Sequence, residues 1–311
     1  MSQTHSVPFE KYHGTGNDFV VIDAREHAVA DPVAFGVAVC DRETGVSAEV
    51  HGDGSGQAVR RGSDPDGREA RRGSDGVLFL TLPDEGDADT ADRPHVEMRL
   101  VQPDGSEAAM CGNGARVAAA WAAERLGVDE LVVDTPAGER PATVHDDGSV
   151  TISMGVPSFD PAAVPLDGDE PLIETEVEGL TVTAVNTGVP HAVAVVEDVD
   201  AVDLESVAPP VRHAAVFPEG ANVNLAARDG AGLRQRTFER GVEGETRSCG
   251  TGAVAVAAVA KRLGIVAGDE VRVSPPGGDL LIGVPDGEPA TLTGPVAFEF
   301  AGELPTDPDE V

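Results

Sequence analysis

Two stretches, Cys111-Gly-Asn-Gly-Ala-Arg-Val-Ala-Ala-Ala and Cys249-Gly-Thr-Gly-Ala-Val-Ala-Val-Ala-Ala, repeat one pattern of a cysteine, two glycines and an alanine-rich run. Each run ends at a Leu-Gly pair, Leu126-Gly127 and Leu263-Gly264, which is a typical helix stop signal. The two cysteines are 138 residues apart and the two pairs are 137 residues apart. This nearly constant offset indicates that the chain contains two copies of one plan.

The segments around these two predicted helices read mostly as short strands. Patterns rich in β-formers occur at 19–23, 77–82, 96–101, 149–154, 181–185, 192–196 and 233–238. The apolar stretch 32–40 predicts one further helix. Several strands and one strong helix in each half predict an α+β fold. We predict a first domain at 1–155 that also receives the last strand at 292–304, a second domain at 156–291, and a loose tail at 305–311.

The first copy is longer than the second by a segment with almost no apolar residues. Thr15-Gly16 and Thr187-Gly188 open a similar motif in the two copies, and their offset of 172 residues exceeds that of the cysteines. The excess falls in 47–72, a run of Gly, Ser, Asp and Arg in which the pentapeptide RRGSD begins twice. Such a composition buries too little apolar surface to offset the entropy of ordering, so we predict a disordered insertion there.

The charge balance is strongly acidic, with 55 acidic side chains against 22 basic ones and a net charge of −33. Such a surface repels nucleic acid and anionic membranes, so neither is expected as a partner. Only Lys11 and Lys261 are lysines. An acidic, lysine-poor surface suits a cytoplasm with very high salt, where screening suppresses self-repulsion. We therefore expect a halophilic protein.

The cysteine content and the apolar runs predict a cytoplasmic protein. The first ten residues have no apolar core of a signal peptide, and the longest apolar run, 253–260, is far shorter than a membrane span. The three cysteines, Cys40, Cys111 and Cys249, are too few for a disulfide framework and match no zinc spacing. Cys40 lies in an apolar helical stretch and is expected in the core. The oligomeric state stays open, with a homodimer as one option.

Each repeated motif places a cysteine at the N-terminus of a helix. Free backbone N–H groups and the positive end of the helix dipole favour a thiolate there and can also hold a carboxylate. Two such cysteines suit the inversion of a stereocentre, in which one group removes a proton and a second delivers a proton to the opposite face. Pyridoxal phosphate chemistry needs a lysine. Since Lys261 lies at the end of a helix, we predict a reaction without a cofactor.

The motifs together resemble the diaminopimelate epimerase family over nearly the full chain. The matching stretches are KYHGTGNDF at 11–19, QPDGS at 102–106, CGNG at 111–114, GVPH at 188–191, NVN at 222–224, FERG at 238–241 and CGTG at 249–252. The resemblance implies two pseudo-symmetric domains, each a mixed β-sheet curled into a barrel around a central helix. It also implies interconversion of LL- and meso-diaminopimelate on the route to lysine.

The resemblance assigns a role to each matching position. Cys111 and Cys249 would be the acid/base pair, with His191 and Glu239 tuning their pKa values. The groups that would hold the reacting carboxylate are Gly112, Asn113, Gly250 and Thr251. The groups that would bind the distal amino acid moiety are Asn17, Gln102, Asn222, Glu239 and Arg240. No metal and no cofactor are implied, and the small-molecule substrate is the expected partner.

Three positions depart from the family pattern, and they concern the substrate more than the reaction. Gln102 stands where many members have Asn, and Val189 stands where many have an amide. Gly76 occupies a place where Gln often contacts the substrate. A proline or hydroxyproline racemase of the same fold, a phenazine-biosynthesis type of isomerase and a catalytically silent binding protein are the alternatives. The cysteine pair argues against the phenazine type, and the distal set around Asn222 and Arg240 argues against the proline type.

Overall fold

The structure is a computed structural model, and it describes residues 6–51, 70–84 and 93–311. The chain divides into two compact units. The first unit comprises the described residues up to Ile152 together with Pro295–Val311, and the second comprises Ser153–Gly294. The predicted boundaries, 155 and 292, lie close to these two. Along the described ranges, no helix combines the length and the apolarity that a membrane crossing requires.

The first unit is built from one mixed sheet, three helices and a short 3-10 turn at Pro308–Glu310. Its strands are β1 (Ser6–Gly14), β2 (Asn17–Asp23), β3 (Gly76–Thr81), β4 (His95–Val101), β5 (Glu107–Ala108), β6 (Glu130–Thr135), β7 (Gly138–Val144), β8 (Ser149–Gly155, which continues into the second unit) and β18 (Ala297–Pro305). Its helices are α1 (Pro32–Cys40), α2 (Ala48–His51) and α3 (Gly112–Leu126).

The second unit has the same kinds of elements in the same order. Its strands are β9 (Thr175–Val177), β10 (Leu180–Asn186), β11 (Pro190–Val195), β12 (Asn222–Asp229), β13 (Gly232–Glu239), β14 (Gly244–Thr246), β15 (Glu270–Ser274), β16 (Leu280–Gly283) and β17 (Ala290–Pro295). Its helices are α4 (Leu204–Arg212) and α5 (Gly250–Arg262), with a 3-10 turn at Val199–Ala201.

The strand pairing confirms the duplication. In the first unit β1 and β2 are antiparallel, β2 and β3 parallel, β3 and β4 antiparallel, β4 and β6 parallel, and β6 and β7 antiparallel. In the second unit the pairs β10–β11, β11–β12, β12–β13, β13–β15 and β15–β16 repeat this order of directions. Both sheets are therefore mixed, and both are produced by one topology.

A central helix explains the curl of each sheet. Helix α3 packs against β1, β2, β3, β4, β6 and β7, and helix α5 packs against β10, β11, β12, β13, β15 and β16. Alanines line most of both helices and are buried, so the strands can approach the helix backbone closely. This arrangement confirms the predicted α+β fold. The strands predicted from 19–23 to 233–238 and the helix predicted at 32–40 are also confirmed.

The predicted disordered insertion at 47–72 is wrong at both of its ends. Residues 48–51 form helix α2, and Ser47 is buried. Gly73, just after the predicted insertion, lies beside Val46, just before it: the Gly73 N–H donates to the Val46 carbonyl at 2.8 Å. Just before Gly73, the Arg71 carbonyl accepts a 2.5 Å hydrogen bond from the fully buried Lys11 Nζ. The middle of the predicted insertion, 52–69, lies outside the described residues.

The predicted loose tail at 305–311 is wrong as well. Pro305 pairs with Ser6 at the end of β18, so it belongs to the sheet. Val311 packs against the apolar cluster that includes Phe35 and Leu304. The predicted last strand at 292–304 is two strands in the structure, β17 and β18. Apolar contacts at the chain end therefore order a segment whose composition looked solvated.

The ends of the insertion, rather than its middle, should stabilise the first unit. Deleting 47–72 removes the Arg71 carbonyl that Lys11 contacts, and it should cost at least about 2 kcal/mol of unfolding free energy, because a buried charged donor loses its acceptor. Replacing 53–69 by a short Gly-Ser linker keeps these contacts and should leave the melting temperature within about 2 °C. Calorimetry in molar KCl compares the two. Equal losses in both variants would contradict this account.

Candidate active site

Cys111 caps the N-terminus of helix α3 with its sulfur atom. Its backbone is extended, with φ −143° and ψ 112°, and its Sγ accepts the N–H of Gly114 at 3.4 Å. This is the geometry in which a side-chain acceptor at the N-cap satisfies the N–H three residues later. Gly112 and Asn113, in the first turn, are both buried. A thiolate at Cys111 is therefore compatible with the local hydrogen bonding.

Cys249 occupies the same position at helix α5. Its φ is −124° and its ψ is 106°, and its Sγ accepts the N–H of Gly252 at 3.4 Å. The Thr251 hydroxyl lies 3.4 Å from the same sulfur. Gly252 is required here, because a Cβ would lie 2.5 Å from Oδ1 of Asn224. The two predicted catalytic cysteines thus have the same local backbone geometry in their two units.

Burial and a carboxylate disfavour the thiolate form of Cys249. Burial raises the pKa of the Cys249 thiol well above its ordinary value, and the nearby Glu239 carboxylate raises it further. Hydrogen bonds from Thr251 and from the Gly252 N–H oppose this rise in pKa. The Thr246 hydroxyl donates to Glu239 Oε1 at 2.9 Å and fixes the carboxylate in place. Glu239 is therefore close enough to Cys249 to influence the pKa of its thiol.

His191 is a buried and neutral imidazole. Burial, together with the charge of Arg240, lowers the pKa of His191 to about 3. Its Nδ1 lies 3.0 Å from Nδ2 of Asn224, whose Oδ1 accepts a 2.8 Å hydrogen bond from the Thr237 hydroxyl. Since the ring carries no charge, its influence on a neighbouring group is that of a hydrogen-bonding partner.

Asn222 and Arg240 hold backbone segments of the second unit together. The Asn222 amide donates to the Pro190 carbonyl at 3.2 Å and accepts the backbone N–H of Arg240 at 2.8 Å. The Arg240 guanidinium donates to the Glu219 carbonyl at 3.1 Å. The structure thus brings these residues close to Glu239 and His191, at the ends of β11, β12 and β13.

Asn17 and Asn113 are joined in the first unit. Asn113 Nδ2 donates to Asn17 Oδ1 at 2.5 Å, and Asn17 Nδ2 donates to Asp75 Oδ2 at 3.1 Å. Gln102 lies just after β4, where its backbone closes a turn with Ser106 at 2.8 Å. Asn113, Asn17 and the carboxylate of Asp75 therefore form one chain of hydrogen bonds.

The glycines and Thr251 that are predicted to hold a carboxylate lie in the first turns of the two central helices. Gly112 and Gly250 are the first residues of α3 and α5 and are buried. The Thr251 carbonyl accepts the Thr187 hydroxyl at 2.9 Å, which anchors the first turn of α5 to the strand end before it. At both helix starts the first-turn N–H groups point out of the helix, where they can meet a ligand.

The comparisons with known proteins give the family of this chain. The sequence model described as Diaminopimelate epimerase matches residues 61–159 and 183–299. The diaminopimelate epimerase of Methanocella arvoryzae is 42% identical over 309 residues, which is 97% of this chain and 98% of that protein. The one of Methanothrix thermoacetophila is 42% identical over 306 residues, 96% of each chain. The chain belongs to the diaminopimelate epimerase family.

Solved structures show the same fold at low sequence identity. A Bacillus anthracis phenazine biosynthesis protein of the PhzF family superposes with a TM-score of 0.62 at 15% identity, over 96% of this chain and 99% of that one. A hydroxyproline epimerase from Agrobacterium vitis superposes with a TM-score of 0.54 at 20% identity, over 96% and 91%. At such identities the likeness concerns the fold alone.

Sequence reasoning missed several residues that contact the predicted family site or its direct neighbours. They are Asp75, Arg116, Asn224, Thr237 and Thr246. Asn224 was part of a matched motif, so its place in the motif was a usable signal. Asp75 follows the predicted insertion, and only the fold shows that it meets Asn17. Arg116 was visible as a difference between the two copies, because Val254 stands at the same offset from the other cysteine.

Removing the charge of Glu239 should make the Cys249 thiol more acidic. Glu239 raises the pKa of Cys249, so Glu239→Gln should move the pH midpoint of Cys249 alkylation down by about one pH unit. Thr251→Val removes a contact that lowers this pKa and should move the midpoint upward. Mass spectrometry after iodoacetamide pulses at a series of pH values gives both midpoints. A Glu239→Gln midpoint at or above that of the unchanged chain would refute the proposed effect.

Proposed function

We propose that this chain is an isomerase that interconverts LL- and meso-diaminopimelate in lysine biosynthesis, without a cofactor. The observation that carries the proposal is the pair of cysteines, each of which caps the central helix of its own unit through its sulfur atom. We infer the substrate from the names of two relatives that are 42% identical over nearly the whole chain. The reaction type follows from the chemistry of two thiol groups.

The proposed reaction moves one proton at each face of the α-carbon. A thiolate removes the α-proton, and the electron pair stays on the carbon while the adjacent carboxylate carries part of the charge. A thiol on the other face then donates its proton to the carbon. The net result is an inverted centre, with the thiol and the thiolate exchanged between Cys111 and Cys249. No oxidant, reductant or leaving group is needed.

Backbone donors at the helix N-termini would stabilise the carbanion. We assign this role to the first-turn N–H groups at Gly112, Asn113, Gly250 and Thr251, because N–H groups at a helix start bind carboxylates and stabilise developing negative charge. These donors belong to rigid helices, so they need little reorganisation during the reaction. Neutral His191 and ionised Glu239 would set the acidity of the thiol groups from within the second unit.

Polar side chains would bind the distal end of the substrate. That end carries an ammonium and a carboxylate, so it needs both a negative and a positive partner. Arg240 and Glu239 supply these charges, and Asn17, Gln102 and Asn222 supply amides. Arginine can hold a carboxylate through two parallel hydrogen bonds. Proline has no such distal end, so the neighbouring Glu239 and Arg240 favour diaminopimelate as the substrate.

The setting of this activity follows from the composition. We propose that the enzyme works in a salt-rich cytoplasm, because its net charge of −33 requires screening. The small-molecule substrate is its proposed partner, and a homodimer stays a prediction.

Replacing either predicted catalytic cysteine should abolish the reaction, while the third cysteine should be dispensable. Cys111→Ala and Cys249→Ala should each lower kcat by more than about 1000-fold, because each thiol serves as acid in one direction and base in the other. Cys40→Ala is the matched control and should keep activity, since Cys40 is buried against Ser74. Chiral chromatography of LL- and meso-diaminopimelate in molar KCl measures all three. Substantial activity in both single variants would overturn the proposal, and activity on proline alone would overturn its substrate.

A further inference from the structure

Arg116 is a fully buried charge within the central helix of the first unit. Its side chain has 0% exposure. Its Nη2 donates to the Thr15 hydroxyl at 2.6 Å, while its Nε and Nη1 have no hydrogen-bond partner among the residues that the structure describes. An isolated buried charge is costly unless an opposite charge compensates it. Arg116 therefore needs a negative partner.

The Arg116 side chain runs back toward the cysteine end of α3. Long side chains of a helix point toward its N-terminus. Consistent with this, a Cβ on Gly14 would lie 3.2 Å from Arg116 Nη2 and 3.4 Å from the Asn113 carbonyl. Burial lowers the pKa of Arg116 to about 10, and the negative charge of Cys111 opposes this. The guanidinium thus lies near the first turn that Cys111 caps.

The other charges near this end of α3 already compensate one another. Asp18 on β2 forms ion pairs with Lys11 at 2.8 Å, with Arg42 at 2.7 Å and with Arg71 at 2.8 Å. Burial opposes its ionisation, but the Arg42 and Lys11 charges hold the pKa of Asp18 well below its ordinary value.

Asp75, before β3, and Glu299, on β18, complete this cluster. Arg42 contacts Asp75, and Lys11 lies 3.4 Å from Glu299. Burial raises the pKa of both Asp75 and Glu299, while the charges of Arg42 and Lys11 respectively oppose the rise. The acidic and basic groups of this cluster therefore interact with one another. His13 on β1 also interacts electrostatically with Glu299. Of the described charged groups, Cys111 is the one whose negative charge acts on the guanidinium of Arg116.

The second unit provides a natural comparison, because it has the same fold without this charge. Val254 stands five residues after Cys249, as Arg116 stands five residues after Cys111, and Val254 is fully buried. The last residue of β13 is Glu239, whereas the first residue after the corresponding strand β4 is the neutral Gln102. The two copies therefore surround similar cysteines with opposite charges: a cation in the first unit and an anion in the second.

We propose that Arg116 is a positioning residue whose fixed charge holds Cys111 as a thiolate, so that Cys111 is the proton acceptor of the resting enzyme and Cys249 the proton donor. This inference rests on the proposed function, and it adds which of the two cysteines carries the proton before the substrate binds. After one turnover Cys111 carries the abstracted proton and Cys249 is the thiolate. Exchange with solvent then restores the resting form, because the charges around the two cysteines favour it.

The test compares the alkylation of the two cysteines in one sample. Iodoacetamide pulses over a pH series, followed by mass spectrometry, give a midpoint for each cysteine in the full chain in molar KCl. In the unchanged chain Cys111 should react at lower pH than Cys249. Arg116→Met keeps the packing but removes the charge, and it should move the Cys111 midpoint up by at least about one pH unit while the Cys249 midpoint stays.

Two further variants separate charge from structure. Arg116→Lys keeps the positive charge, so its Cys111 midpoint should stay close to that of the unchanged chain. Arg125→Met makes the same change at the solvent-exposed end of the same helix and should move neither midpoint. If Arg116→Met fails to fold, Arg116→Gln removes the same charge with a polar side chain, and its Cys111 midpoint decides instead. The reverse order of the two midpoints in the unchanged chain overturns the inference. An unchanged Cys111 midpoint in folded Arg116→Met overturns it as well.

The alkylation readout needs no substrate, so the two proposals fail separately. An enzyme active on diaminopimelate whose Cys111 midpoint does not respond to Arg116 would retain the proposed function and lose this inference. A chain with the expected midpoints that leaves diaminopimelate unchanged would lose the proposed function.

Discussion

In both units a cysteine sulfur accepts the backbone N–H of the residue three positions further along, and this hydrogen bond starts the helix that each sheet surrounds. The bond fixes an extended conformation at the cysteine and a glycine in the first helical turn. It also keeps the sulfur in the positive field of the helix start. One local contact therefore fixes both where the central helix begins and where the cysteine sulfur lies.

The environment of each cysteine is set by residues that differ between the copies. A Cβ on Gly114 would lie 3.4 Å from the Leu78 side chain, whereas a Cβ on Gly252 would lie 2.5 Å from Oδ1 of Asn224. An apolar group thus supports one first turn, and a buried amide network that includes His191 supports the other. Duplication kept the backbone geometry, while substitutions at a few buried positions gave the two thiol groups different surroundings.

The repeated Cys-Gly-X-Gly-Ala motif and the strand patterns around it were sufficient to predict a duplicated α+β fold, whereas the sheet curled around a central helix came from the family resemblance. Tertiary contacts explain the failures. Val311 is the last residue, yet it packs against the apolar cluster that includes Phe35 and Leu304. Helix α2, just after the buried Ser47, contacts β18 near the other end of the chain. Asp75 contacts Asn17 across 58 positions, which no local pattern reveals. The charge of Arg116 was readable, but its burial was not.

The central claim is that two thiol groups handle two different protons, and isotope incorporation tests it most directly. In heavy water, LL-diaminopimelate at low conversion should give product with one deuterium at the inverted carbon, because the donating thiol carries a solvent deuteron. The recovered LL-substrate and the distal centre should stay unlabelled. Product that keeps its original proton, or deuterium in the recovered substrate before product accumulates, would show that a single base serves both faces and would contradict the account.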